Sequence, residues 1–109
     1  MKTAFVTGGS RGIGSAIAIA LGKTFHVVVG FANSEDKAND VVKEILAAGG
    51  SASTVQIDIS DAESVDNAFT TIEKEYNSVD VLINNAGVTK DNILPRMKED
   101  EWLEVIQTN

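Results

Sequence analysis

At 109 residues, with 43% hydrophobic and 23% charged content, the chain has material for one compact domain and too little for two of ordinary size. A net charge of −7 gives a surface that repels phosphate backbones, so nucleic-acid binding is not expected and any bound phosphate needs a local site. Cysteine is absent, which excludes disulfides and thiolate chemistry; the opening Met1-Lys2-Thr3-Ala4-Phe5-Val6 and the short apolar runs predict a soluble cytoplasmic protein without signal peptide or membrane span.

Residues 3–7 form a β-branched and aromatic run, a predicted strand, that ends in a glycine-rich turn from Gly8 to Gly14. An alanine-rich stretch follows to about Lys23. Its Ala16-Ile17-Ala18-Ile19 alternation is strand-like, but alanine favours helix and the stretch joins two stronger strands, so a helix is expected. His26 to Gly30 reads as a second, buried strand. Ser34 then offers an N-cap with Glu35 and Asp36 in the first turn, and Ala38, Val41, Val42, Ile45 and Leu46 form the apolar stripe of a helix that Gly49-Gly50 ends. Residues 53–59 make a third strand. Val65, Phe69, Ile72 and Tyr76 recur at helical spacing, and Val79 to Asn84 is a fourth strand. Past Pro95 a last helix is expected from about Lys98, carrying Trp102, Val105 and Ile106 and still running at Asn109.

Strands alternating with helices over these spans predict an α/β fold of the Rossmann type, a doubly wound parallel sheet of four strands in the order 3-2-1-4. Strand 4 then lies at an edge. Its Val81-Leu82-Ile83 is too apolar to stay open there, so something should cover it.

Two loops at the carboxyl ends of these strands carry the chemistry. In Thr7-Gly8-Gly9-Ser10-Arg11-Gly12-Ile13-Gly14, glycines permit a tight turn and a close approach to a pyrophosphate, whose charge the backbone N–H groups of a helix N-terminus meet. A glycine-rich turn without a ligand is the plainer alternative. Asn84-Asn85-Ala86-Gly87 ends the strand next to the first, where adjacent amides can join strand ends and touch a ribose; alone it is also a common turn.

The two together, Thr-Gly-x-x-x-Gly-x-Gly and Asn-Asn-Ala-Gly in this order and context, resemble the short-chain dehydrogenase/reductase family. The resemblance implies a cofactor held by Gly8, Gly9, Ser10, Arg11, Gly12, Ile13 and Gly14 and by Asn85, Ala86 and Gly87. It also implies that Asp58 bonds the adenine edge with Ile59 flanking the ring, although Asp58 also stands near the next helix start, where Ser60 or Asp61 supplies the cap. Dinucleotide specificity is set where strand 2 ends, since a carboxylate there bonds a free 2′-hydroxyl and repels a phosphate. Here that end is Gly30-Phe31-Ala32-Asn33. With Asn33 in place of an acid, and with Ser10 and Arg11 able to meet a phosphate, NADP(H) is expected; the alternative, NAD(H), needs Glu35 or Asp36 to fold back to the ribose.

Members of the resembled family are longer and use an Asn, a Ser, a Tyr and a Lys. Of these the chain holds the asparagine, Asn109 after Thr108, which in the family supports a proton-relay water. Tyr76 is not the catalytic tyrosine, because that residue precedes a lysine by four positions and Asp80 stands there. His26 has no second histidine or cysteine beside it, and Asp36, Asp40 and Glu44 read as a solvated helix face, so no metal is expected. Phe25 stands where the family commonly has a helix-ending glycine, which puts that turn in question.

Thr89-Lys90-Asp91-Asn92, Arg96-Met97-Lys98 and Trp102 are similar to the acyl-carrier-protein reductase branch. For a complete parent this implies NADPH-dependent reduction of a 3-oxoacyl group on acyl carrier protein in fatty acid synthesis, by a homo-oligomer. Residues 1–109 are then the dinucleotide-binding, N-terminal part of a larger single-domain reductase, inactive alone. A non-catalytic nucleotide-binding or interaction module is the alternative.

Overall fold

The computed structural model describes residues 1–10, 12–85 and 104–107. Strands β1 (Thr3–Thr7), β2 (His26–Phe31), β3 (Ser51–Gln56), β4 (Val81–Asn84) and β5 (Glu104–Gln107) form one sheet in the order β3-β2-β1-β4-β5, with every pairing parallel. Helices α1 (Gly12–Leu21), α2 (Glu35–Ala47) and α3 (Ala62–Tyr76) make the first three crossovers. The expected order 3-2-1-4 is present.

Alternation along the central strands divides the core in two. Val6, Val27, Val29 and Ile83 pack with Ala18, Ala38, Val41 and Ile45, on the α1 and α2 face. Phe5, Val28 and Leu82 point the other way, to Val65, Phe69 and Ile72 of α3, where Phe5 and Phe69 meet edge to face at 5.4 Å. With both faces covered, a strand such as β1 is buried at all five residues, which is why the apolar Ala4-Phe5-Val6 runs without alternation between its two threonines. Among the described residues no helix is long and apolar enough to cross a membrane.

Local chemistry sets the helix ends. Asp61 caps α3 by accepting from the Glu63 N–H at 3.0 Å, and Asn77 closes it in the left-handed region at φ 77°. Ser34 occupies the N-cap of α2 without a side-chain bond, so Glu35 and Asp36 supply the favourable charge there. Gly49, at φ 88°, turns the chain after α2, and the Gly50 N–H returns to the Ile45 carbonyl. At the turn after α1, Phe25 needs no positive φ: its N–H bonds the Leu21 carbonyl at 2.9 Å and its ring packs on the α1 and α2 face.

Three expectations are corrected. The third strand runs from Ser51 to Gln56, not 53–59, because its ladder with β2 pairs His26 with Ser51 and Phe31 with Gln56 and the chain turns beyond Ile57. Leu46, assigned to the buried stripe of α2, is 52% exposed. Residues 104–107, expected in a helix, are β5: the β-branched Val105-Ile106 suits a strand, and the open backbone of β4 supplies a ladder. Among the described residues the sheet therefore has five strands, and the apolar edge of β4 is covered by one of them.

Candidate active site

The carboxyl ends of β1, β2 and β4 are tied into one platform. Thr7, the last residue of β1, donates its hydroxyl to the Ile83 carbonyl at 3.3 Å and accepts from the Asn85 N–H at 3.1 Å. The Asn85 side-chain amide donates to the Gly8 carbonyl at 3.1 Å, and the Gly9 N–H reaches the Gly30 carbonyl at 3.1 Å. Gly8 turns at φ 64° and Gly12 at φ 62°, a region that side chains other than glycine's rarely adopt. A Cβ on Gly14 would run into the Gly8 carbonyl oxygen and lie 2.5 Å from the Asn85 amide nitrogen. Helix α1 is thus seated directly on the loop and on Asn85.

The space above this platform suits a phosphate. The first turn of α1 holds no acidic residue, so the positive end of its dipole and its free N–H groups are not neutralised from within. Among the described residues a Cβ at Gly12 would meet nothing within 4 Å, and Ile13 is 62% exposed beside it. An anionic group therefore finds donors and space together. Of the expected glycine-loop residues, Gly8, Gly9, Ser10, Gly12, Ile13 and Gly14 fall in this one turn; Arg11, Ala86, Gly87 and Asn109 lie outside the described residues.

Beside the platform a cleft of about 630 Å³ runs between the ends of β2 and β3 and the first turns of α3. Asn33 and Asp58 both line it. Ser60 bonds one Asp58 carboxylate oxygen twice, through its hydroxyl at 2.6 Å and its N–H at 3.0 Å, which holds the Asp58 pKa below the ordinary carboxylate value. The Asp58 N–H donates in turn to the Ser64 hydroxyl at 2.8 Å. Ile59 does not line the cleft; it packs on the α3-side core. Asn33 is exposed where β2 turns into α2, with Glu35 and Asp36 exposed in the helix turn beyond it.

His26 lies elsewhere. At the amino-terminal end of β2 its Nδ1 bonds the Ser51 hydroxyl at 2.6 Å and its Nε2 the Ser53 hydroxyl at 3.0 Å, while its ring stacks on Tyr76 at 4.2 Å. Desolvation pushes its pKa down, partly offset by Glu75. The Tyr76 hydroxyl is 3.1 Å from that of Ser53, so this cluster staples α3 to β2 and β3 at the opposite end of the strands. Gln56 and Ser64, which line the cleft, carry no role in the sequence reading, and Thr7 enters it only as the first residue of the glycine-loop motif. Gln56 leaves one local signal, a polar residue closing a strand.

The chain matches the short chain dehydrogenase family over residues 2–109. It is 48% identical over 109 residues to the 3-oxoacyl-[acyl-carrier-protein] reductase FabG of Staphylococcus epidermidis, an alignment that covers 99% of this chain and 45% of that protein. The chain thus spans less than half the length of that relative. Among solved structures, a dehydrogenase/reductase from Sinorhizobium meliloti 1021 is 44% identical with a TM-score of 0.75, over 79% of this chain and 34% of that one. A metagenomic short-chain oxidoreductase in complex with NADP is 42% identical, also with a TM-score of 0.75, over 80% of this chain and 39% of that one. The alignment takes in both the glycine loop and the end of β4 that the geometry locks together, and the chain belongs to the short chain dehydrogenase family.

Proposed function

We propose that this chain is the dinucleotide-binding, N-terminal part of a larger single-domain reductase that uses NADPH to reduce 3-oxoacyl groups on acyl carrier protein in fatty acid synthesis. The observation that carries the reading is the seating of Gly14 against Gly8 and Asn85, which brings the N-terminus of a helix without an acidic residue in its first turn to the carboxyl edge of the sheet. In this reading Gly8, Gly9, Ser10, Gly12, Ile13 and Gly14 hold the phosphates with Asn85, Ala86 and Gly87 beside the ribose, and Asp58 meets the adenine end, while the Ile59 side chain stays packed on the α3-side core. Arg11 and Ser10 meet the 2′-phosphate, which Asn33, being neutral, does not repel. The bound cofactor supplies the hydride. Asn109 holds a water for proton delivery, and the residues that donate the proton and grip the acyl group belong to the rest of the parent, a cytoplasmic homo-oligomer.

The choice of substrate is supported by the name carried by a relative 48% identical, and the choice of cofactor by the NADP complex of a neighbour 42% identical. The test uses the full-length protein with a short 3-oxoacyl thioester. NADPH oxidation at 340 nm that exceeds stoichiometry and outpaces the NADH reaction is expected. Absence of turnover with both cofactors overturns the substrate assignment, and faster turnover with NADH overturns the cofactor assignment.

A further inference from the structure

We propose that Gln56 is a positioning residue for recognition of the cofactor's 2′-phosphate, a role that rests on the NADPH reading above. Gln56 is the last residue of β3, exposed and opposite Phe31 in the ladder. Its side-chain amide donates to the Ala32 carbonyl at 3.2 Å. One residue further on, the Ile57 N–H donates to the Phe31 carbonyl at 2.8 Å, so the end of β3 grips the end of β2 both by backbone and by the Gln56 side chain.

The grip matters because Ala32 leads directly into Asn33. The Ala32 carbonyl and the Asn33 N–H belong to one planar trans peptide and point in opposite directions, so holding the oxygen directs the Asn33 N–H away from the Gln56 amide. The rest of this turn is weakly tied: Ala32 and Asn33 are exposed, and Ser34 contributes its carbonyl to the Ala38 N–H but no side-chain cap bond. Ala32, Asn33, Gln56 and Asp58 line the same cleft. Gln56 therefore sets the angle at which the Asn33 backbone and side chain meet a group on the ribose, without itself contacting it.

Asn33 fixes what kind of charge is tolerated at this point; Gln56 fixes where that residue stands. A role of this kind predicts a loss confined to ligands that carry the 2′-phosphate. A general destabilisation of the loop predicts equal loss for ligands with and without it.

The experiment compares 2′,5′-ADP with 5′-AMP as calorimetric probes of the full-length protein, unmodified and as Gln56→Leu and Gln56→Met. Both variants remove the donor without adding a charge to the cleft; leucine keeps the bulk and methionine the unbranched length. Because Gln56 is exposed, both variants are expected to keep the melting temperature of the parent. Loss of one such hydrogen bond is expected to weaken 2′,5′-ADP about two- to ten-fold while leaving the 5′-AMP dissociation constant unchanged. Equal weakening of both probes, or no change in either, overturns the role of Gln56. An unmodified protein that binds the two probes equally overturns the NADPH reading and the proposal with it.

Discussion

The side-chain amide of Asn85 donates to the carbonyl of Gly8 across 3.1 Å, joining the loop after β4 to the loop after β1. Gly14 sits against both partners, so the hydrogen bond and the seating of α1 form one packed unit.

Gly14→Ala is accordingly expected to be costly at two levels. The added methyl group has no free volume, since both nearest neighbours are held by the bond itself, and overpacking of this kind costs about 1–3 kcal/mol. Urea unfolding of the full-length protein should show a lowered midpoint, and NADPH affinity should fall by more than stability alone explains because the helix N-terminus is displaced. An unchanged midpoint together with unchanged affinity contradicts the seating described.

How much of this was legible in the sequence depended on what kind of signal each part leaves. β1 and β2 were readable because burial on both faces demands a continuous β-branched and aromatic run, and the glycine loop because it needs glycines at fixed spacing. The cap of α3 was readable only as Ser60 or Asp61, since either residue type serves; the structure selects Asp61. β3 was misplaced by two to three residues because Ser51-Ala52-Ser53-Thr54 is polar and half-buried at an edge, and its register comes from pairing with β2 rather than from its own apolar pattern. Val105 and Ile106 follow Trp102 at a spacing that suits a helix face; a vacant ladder on β4 decides otherwise, and that is a tertiary effect. The partners of Thr7 and Gln56, the Ile83 and Ala32 carbonyls, lie far along the chain, and no local pattern announces those bonds.

Asn33→Asp is expected to erode the preference for NADPH over NADH. A carboxylate where β2 turns into α2 accepts from a free 2′-hydroxyl and repels a phosphate, and the charge-assisted interactions at stake are about 1.5–3 kcal/mol, roughly ten- to a hundred-fold in the ratio of dissociation constants. Titration of both cofactors into the unmodified and substituted full-length proteins measures that ratio. A ratio that does not move removes Asn33 from the specificity site.

Stability should fall on mild acidification through His26. Its pKa is lowered in the fold from 6.5, so between the folded value and 6.5 the unfolded chain binds more protons. The contribution of the neutral imidazole is fully present above pH 6.5 and is lost as the pH falls through the folded pKa. His26→Gln, which keeps two polar ends for Ser51 and Ser53, is expected to flatten the urea midpoint across this window. An identical pH slope in both proteins assigns the dependence to other groups.

Residues 1–109 alone are expected to give no turnover with NADPH and a 3-oxoacyl thioester. The Tyr76 hydroxyl is engaged near Ser53 and His26 at the amino-terminal end of the strands, away from the glycine loop, and an asparagine cannot serve as a general acid. Loss of acid catalysis removes about 10²- to 10⁴-fold in rate before any loss of substrate orientation is counted. Measurable catalytic cycles from this span shift the proton donor into it.

The place of β1 at the centre of the sheet has a kinetic consequence. Its partner on one side, β2, follows soon after it, but its partner on the other is β4, with Thr7 beside Asn84. On the ribosome, therefore, β1 through β3 can assemble with α1 and α2 while the α3 face of Phe5 and Val28 and the outer edge of β1 remain bare. Closing that long loop, the pairing of highest sequence separation for β1, is expected to be the slow step of folding. Until α3 covers Phe5 and β4 pairs with β1, the nascent chain displays an apolar face and an unpaired strand edge, the kind of surface that chaperones bind and that seeds misassembly.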